Sequence, residues 1–290
     1  MQVTLLDGGL GQELIARTGK ATPLWSVQVL IDNPELVGQI HLEYFQAGAE
    51  IATANTYSVL PDRLQPHGLE EQLSQLIQIA CTQAITARDR FGSGQVAGAL
   101  GPLGFSYRPE KCPPAEQAAE VYRHICKEQS PYVDLFIAET MASVDQVKGA
   151  LMGSTGFGKP VWIALTVDDE DGTKLRSGEP IEDLLPVVNQ YDVAAVLLNC
   201  STPESVTQGL PLLQQFSRSF GAYANGFSRI NNEFNNVHTT VDLLESRDDL
   251  SPEAYADFAA QWIDDGASII GGCCEVGPAH IAELKLRFSK

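Results

Sequence analysis

Three cysteines carry the most informative chemistry in this 290-residue chain: Cys200, and the adjacent pair Cys273-Cys274 behind Gly271-Gly272. Each follows a short apolar run that reads as a β-strand. Three thiolates form a soft donor set suited to Zn²⁺, at Zn–S distances of roughly 2.3 Å. A structural zinc site ordinarily closes its shell with a fourth protein ligand, and no CxxC pair or neighbouring histidine supplies one here. One coordination position is therefore expected to stay open for water or a substrate. The two glycines are expected to let the backbone turn tightly enough to aim successive sulfurs at one ion. The competing reading of Cys273-Cys274, two buried thiols or a strained vicinal disulfide, is outweighed only by the set of the Gly-Gly prefix, the position after the last strand and the third cysteine after strand six. Cys81, Cys112 and Cys126 read as small buried hydrophobes or free thiols.

Polar residues collect behind the other apolar runs as well: Asp7-Gly8-Gly9, Asn55-Thr56-Tyr57, Gly101-Pro102, Glu139-Thr140 and Asn225-Gly226. Alone, Asp7 reads as a turn residue and Glu139 as a helix cap or half of an ion pair. Facing one mouth, the two carboxylates offer anionic partners to a substrate ammonium. The backbone N–H groups near Gly8 and Gly9, with Thr56, could then hold a carboxylate.

Other chemistries are poorly served. The histidines, at 41, 67, 124, 238 and 280, show no HxH or HExxH spacing, which removes most zinc hydrolase readings. There is no GxSxG elbow and no Walker A loop. The Gly-rich stretch 153–158 follows a helix and precedes a strand, the wrong context for phosphate. A formal net charge of -18 makes phosphate backbones and anionic membrane surfaces poor partners, so neither nucleic acid nor membrane is expected. No segment approaches the ~18 uninterrupted apolar residues of a spanning helix. Six unevenly spaced cysteines do not suggest a disulfide scaffold, and the expected location is the cytoplasm.

The elements that must position these residues alternate along the whole chain. Strand candidates are 3–6, 51–54, 96–100, 135–138, 161–166, 194–198, 222–224 and 268–270, with amphipathic segments between them. Asn33-Pro34-Glu35, Thr202-Pro203-Glu204 and Ser251-Pro252-Glu253 read as helix starts, each with a cap and a proline at the first helical position. Eight such βα units close most naturally into a (β/α)8 TIM barrel, a single α/β domain over residues 1–290. A doubly wound open sheet is the alternative. Two stretches exceed a minimal barrel, 168–180 and 225–250. Both follow strands, on the side where barrel active sites form, and both read as lids or mobile segments.

With these markers the chain resembles the homocysteine S-methyltransferase family, which includes S-methylmethionine-dependent and betaine-dependent enzymes and the homocysteine-binding module of cobalamin-dependent methionine synthase. The resemblance covers nearly the whole chain. It rests on Asp7-Gly8-Gly9, Asn33-Pro34-Glu35-Leu36, Ala47-Gly48-Ala49, Thr53-Ala54-Asn55-Thr56-Tyr57, Gly101-Pro102, Glu139-Thr140, Asn199-Cys200 and Gly271-Gly272-Cys273-Cys274. It implies that the three cysteines ligate zinc and that Asp7 and Glu139 contact the homocysteine amino group. Gly8, Gly9, Thr56 and Asn199 would line the amino-acid site. The family's Pro-Asn after strand seven is Ala224-Asn225 here, so the role of Asn225 carries over less securely. Thr140 stands where betaine-dependent members have an aromatic residue, which disfavours betaine.

The chemistry implied is methyl transfer to a thiolate. A free alkyl thiol, with a pKa near ~8.5, is mostly protonated at neutral pH, and zinc replaces its proton. The methyl donor must be a small onium compound, S-methylmethionine or S-adenosylmethionine, whose positive charge aromatic faces such as Trp25 and Tyr57 can hold. Ordinary packing is the alternative role for both rings. Rival readings are a homocysteine-binding module served by a corrinoid partner, and a noncatalytic thiol- or zinc-binding protein on a degenerate barrel.

Overall fold

The computed structural model of the chain describes residues 3–230, 240 and 244–288. Among them run eight strands: β1 Thr4–Leu5, β2 Ile51–Thr53, β3 Gln95–Leu100, β4 Leu135–Met141, β5 Val161–Leu165, β6 Val193–Asn199, β7 Ser219–Tyr223 and β8 Ile269–Ile270. All pair in parallel, in the order β1-β8-β7-β6-β5-β4-β3-β2. The two ends of that sheet meet. Leu6 bridges Ile51, and the Asp7 N–H donates to the Ile51 carbonyl at 3.0 Å. The sheet is thus a closed (β/α)8 barrel in one domain, not an open doubly wound sheet.

The helix starts form as their sequences dictate. Asn33, Thr202 and Ser251 each accept a backbone N–H three residues on, with proline at the first helical position of Pro34–Ala47, Pro203–Gly209 and Pro252–Asp264. Each cap is worth about 1 kcal/mol. The seventh strand starts three residues ahead of its expected position, because Ser219 and Gly221 interrupt its apolar run. Gly221 is required by close approach: a Cβ there would lie 1.8 Å from the Ile269 carbonyl oxygen.

Strand alternation sorts the side chains into layers. Leu135 and Ile137 of β4, and Ala195 and Leu197 of β6, point into the barrel with Leu6, Ile51, Ala97 and Ile269. Their neighbours Phe136, Ala138, Val196 and Leu198 face the helices in a larger outer core. Full burial of each such Val, Leu or Phe contributes about 1.5–3 kcal/mol before entropy is counted.

The excursion after β5 is tied down rather than mobile. Val167 bridges Leu175 and Lys174 bridges Pro180, and Asp168 accepts the N–H groups of Glu170 and Asp171. The expected lid at 225–250 falls largely on residues 231–239 and 241–243, outside the described residues. Its described flanks are joined: Phe227 bridges Ser246, and the Arg247 N–H donates to the Gly226 carbonyl at 2.8 Å.

Candidate active site

The alternation that fills the barrel also furnishes its mouth. Two residues beyond an inward-facing core residue, each strand delivers a functional side chain: Thr53 after Ile51, Glu139 after Ile137, Asn199 after Leu197, and Cys273 after Gly271 and Ile269. These residues line one cavity, together with Asp7, Gly8, Gly9, Trp25, Tyr57, Tyr107, Thr140, Cys200, Tyr223 and Cys274. Backbone strain concentrates there. Six non-glycine residues of the described chain have positive φ, and four of them line the cavity: Trp25 (50°), Tyr107 (64°), Thr140 (60°) and Cys200 (49°). Such conformations cost about 1–3 kcal/mol each and persist only where their surroundings enforce them.

At Thr140 that enforcement is visible. Its N–H donates to Asn199 Oδ1 at 3.0 Å, and Asn199 Nδ2 donates to its hydroxyl at 3.0 Å. The β4–β5 register breaks between Ala138 and Met141, so Asn199 stabilises the bulge that carries Glu139.

The three sulfurs of Cys200, Cys273 and Cys274 lie within 4.8 Å of one another. All three cysteines are free. The Cys200 and Cys273 Sγ atoms are 2.7 Å apart, outside the roughly 2.05 Å of a disulfide. The backbone fixes this convergence: the Cys200 N–H donates to the Tyr223 carbonyl at 3.2 Å and the Cys273 N–H to the Ala224 carbonyl at 2.9 Å. The Tyr107 hydroxyl stands 3.0 Å from Cys200 Sγ. Contacts from Cys273, Cys274 and Tyr107 hold the Cys200 thiol well below the ordinary thiol range. Cys273 is pushed up by its contacts with Cys200 and Cys274 and by burial, and Cys274 by its contact with Cys200 and by burial. A divalent cation among the three sulfurs would displace their remaining thiol protons. The set can hold a metal ion.

Gly271 and Gly272 serve this geometry differently from the expected tight turn, since neither has positive φ. A Cβ on Gly271 would lie 2.5 Å from Leu6 Cβ, and one on Gly272 would lie 2.1 Å from Val276 Cγ1. Glycine here permits close packing of β8 against the start of the chain.

The same cavity holds two carboxyls, Asp7 buried and Glu139 partly exposed. Burial raises Asp7 to about 7, against two opposing hydrogen bonds, from the Thr53 N–H at 2.7 Å and the Thr53 hydroxyl at 3.0 Å. Burial likewise raises Glu139 to about 8, countered by the Tyr223 hydroxyl donating at 2.9 Å and reinforced by the neighbouring Asp7 and Cys200. Desolvation penalises the charged form until a cation arrives.

A family profile described as homocysteine S-methyltransferase matches residues 4–288. The chain belongs to this family. It is 29% identical to the homocysteine S-methyltransferase of Escherichia coli strain K12, across 98% of this chain and 95% of that protein. It is 28% identical to homocysteine S-methyltransferase 1 of Arabidopsis thaliana, across 96% and 90%. Among solved structures, the metallated form of the homocysteine methyltransferase MmuM from Escherichia coli superposes with a TM-score of 0.83 at 28% identity, covering 99% of this chain and 96% of that one. The apo form of the same protein gives 0.73.

Within this homocysteine S-methyltransferase barrel, two of the residues expected at the site lie elsewhere. Thr56 is fully buried, and its hydroxyl is spent on β3, donating to the Ala99 carbonyl at 3.0 Å and accepting the Ala99 N–H at 3.1 Å. Asn225 is also buried, and its Oδ1 accepts the Phe227 N–H at 3.1 Å. Neither is among the described residues lining the cavity. The Gly9 N–H is committed to the Val276 carbonyl at 2.9 Å, whereas the Gly8 N–H has no partner among the described residues.

Trp25 and Tyr57 meet edge to face, with ring centroids 5.9 Å apart. Sequence reasoning missed Thr53, Tyr223 and Tyr107. The first two were legible from strand parity. Tyr107 lies in a loop, and a chain of contacts holds it: the Arg176 guanidinium covers its ring at 4.9 Å, and Asp169 pairs with Arg176 at 2.8 Å. Asp169 also accepts the Ile230 N–H at 2.9 Å. The tied-down excursion after β5 therefore braces Cys200 through Tyr107. Among the described residues no helix is long and apolar enough to cross a membrane.

Proposed function

We propose that residues 1–290 form one homocysteine-binding barrel that moves a methyl group from a small onium donor to the homocysteine thiolate, giving methionine. The observation that carries this reading is the placement of three clustered sulfurs and the Asp7 and Glu139 carboxyls in a single cavity. The sulfur set fits zinc by softness and number. Zn²⁺ held by Cys200, Cys273 and Cys274 would supply a Lewis acid that keeps the substrate sulfur a thiolate at neutral pH.

The chain's own residues do the rest. Glu139 and Asp7 take the substrate ammonium between them and give up their protons as it binds. The Gly8 N–H, without a partner among the described residues, donates to the substrate carboxylate, and Asn199 keeps Glu139 in place by locking Thr140. Tyr107 holds Cys200 in its strained conformation. Trp25 and Tyr57 present aromatic faces to the onium centre. As the new carbon–sulfur bond forms, the electron pair of the old one passes to the departing thioether. The donor thereby loses its positive charge. S-methylmethionine and S-adenosylmethionine both have this form. The six unpaired cysteines suit a reducing compartment, the cytoplasm.

Methionine formation from homocysteine by zinc-loaded protein, with S-methylmethionine, S-adenosylmethionine and betaine compared side by side, tests the reading. Turnover with a sulfonium donor alone is expected. Tight homocysteine binding with no methionine from any of the three would overturn it.

A further inference from the structure

The methyl-transfer reading leaves one conspicuous group in the cavity without a task. Among the described lining residues Arg63 is the one permanent cation, set against Asp7, Asp62, Glu139 and three cysteines. Its guanidinium lies 4.8 Å above the Phe105 ring. Asp62 approaches Arg63 Nε only to 3.8 Å, and Asp62 Oδ2 is committed to the Gly104 N–H at 2.7 Å. Arg63 Nε is buried with no hydrogen-bond partner among the described residues. A guanidinium stacked on a ring, facing a cavity and unspent on hydrogen bonds, is preorganised for a planar anion such as a carboxylate.

Its position relative to the sulfurs is fixed by one short segment. Tyr107 touches Cys200 at one end, and Phe105 lies under Arg63 at the other. Two residues of chain span at most roughly 7 Å between α-carbons. Between them Ser106 hydrogen-bonds the Tyr57 hydroxyl at 2.7 Å, and Tyr57 feels both Cys200 and Arg63. The order through the cavity is therefore sulfurs, Tyr57, Arg63. Asp7 and Glu139 are held by hydrogen bonds from Thr53 and Tyr223, whereas Arg63 is held over Phe105. Arg63 thus belongs to a different part of the cavity from the proposed homocysteine ammonium site.

We infer that Arg63 is a specificity-determining residue for the donor: it takes the carboxylate of an α-amino-acid sulfonium whose charged sulfur lies at Trp25 and Tyr57. The inference rests on the proposed methyl transfer. In such a donor three carbons separate sulfonium from carboxyl carbon, matching an anion site set back from the sulfurs by the Tyr57 ring. Betaine, with one intervening carbon, falls short of Arg63 when its methyl group reaches the sulfurs.

The test is a specificity ratio: kcat/KM for S-methylmethionine over kcat/KM for dimethyl(propyl)sulfonium, which has the same sulfonium and chain but no amino-acid end. Arg63→Ala and the better-packed Arg63→Gln should each lower this ratio by about ten- to hundredfold, and Arg63→Lys should regain part of it. S-adenosylmethionine, which shares the amino-acid end, should lose alongside S-methylmethionine if it is a donor. Calorimetry of S-methylmethionine on the zinc protein should show the same loss without turnover. An unchanged ratio in folded Arg63→Gln overturns the assignment, as does a rise confined to the homocysteine KM. A wild type that makes no methionine from any donor removes the transfer reading and this inference together, whereas an active wild type with an unmoved ratio removes this inference alone.

Discussion

The mouth of the barrel has two anionic walls, and they are built on opposite principles. On the β6 and β8 side three sulfurs crowd within 4.8 Å, one of them on a residue with φ of 49°. Their closest partners are one another and Tyr107. On the β1 and β4 side two carboxyls accept relaxed hydrogen bonds from Thr53 and Tyr223. The sulfur wall gathers three soft donors within reach of one ion, so a soft divalent cation is its natural resident. The carboxyl wall is pushed toward neutrality by burial and becomes fully charged when a cation enters. A permanent cation suits the first wall and an exchanging one the second.

The sharpest way to break this contrast is to remove one ligand from each wall. Cys273→Ser should abolish stoichiometric zinc, read by metal analysis, and cut methionine formation to below about one-hundredth. Full activity in that variant would disprove the sulfur site. Glu139→Ala should leave zinc content unchanged and raise the homocysteine KM by about ten- to hundredfold, the cost of a lost charged hydrogen bond. Loss of metal from Glu139→Ala would mean that the two walls are one site.

The same contrast explains how much of the site was legible in the sequence. The sulfurs and carboxyls stand directly at strand ends, where the two-residue alternation of Ile137 and Glu139, or of Ile269, Gly271 and Cys273, carries the reader from core to mouth. Thr56 and Asn225 lie three and two residues past their strands, in turns that direct both side chains away from the cavity lining. Thr56 spends its hydroxyl on backbone and Asn225 its Oδ1, while Asn225 Nδ2 is buried with no partner among the described residues. Tyr107 and Arg63 were invisible for a related reason. Tyr107 sits in an irregular segment after β3 and Arg63 in the four-residue helix Pro61–Leu64 after β2, both too short to show a period, and only their contacts with Cys200 and Phe105 reveal them. The barrel itself was legible because parallel strands buried on both faces leave near-continuous apolar runs. β7 was mislocated only where Ser219 and Gly221 break the run.

A smaller effect should separate bracing from ligation on the sulfur wall. Arg176→Ala removes the cation over Tyr107 and the partner of Asp169 without touching any sulfur. Zinc affinity, measured by chelator competition, should fall by about tenfold, in the range for groups that orient a metal ligand. The homocysteine KM at saturating zinc should stay put. A shift in KM with no change in zinc affinity would place Arg176 in the carboxyl wall's service instead.

The smallest expected effect is also the most direct report on the carboxyl wall. Glu139 sits near 8 and Asp7 near 7 in the fold, well above ordinary carboxyls of about 4. A group raised in the folded state lends its full stability below its unfolded pKa, and that contribution is lost as pH rises through the folded value. Substrate-free protein should therefore lose stability between about pH 4 and 8 from this pair, which titrates as a coupled unit. The cysteines titrate too, so the informative quantity is the melting temperature of wild type minus that of Glu139→Gln, whose amide cannot ionise. That difference should drop by a few degrees over the window, and saturating methionine should shrink the drop by supplying the missing ammonium. A flat difference would show Glu139 already ionised at pH 6, leaving the carboxyl wall charged at rest.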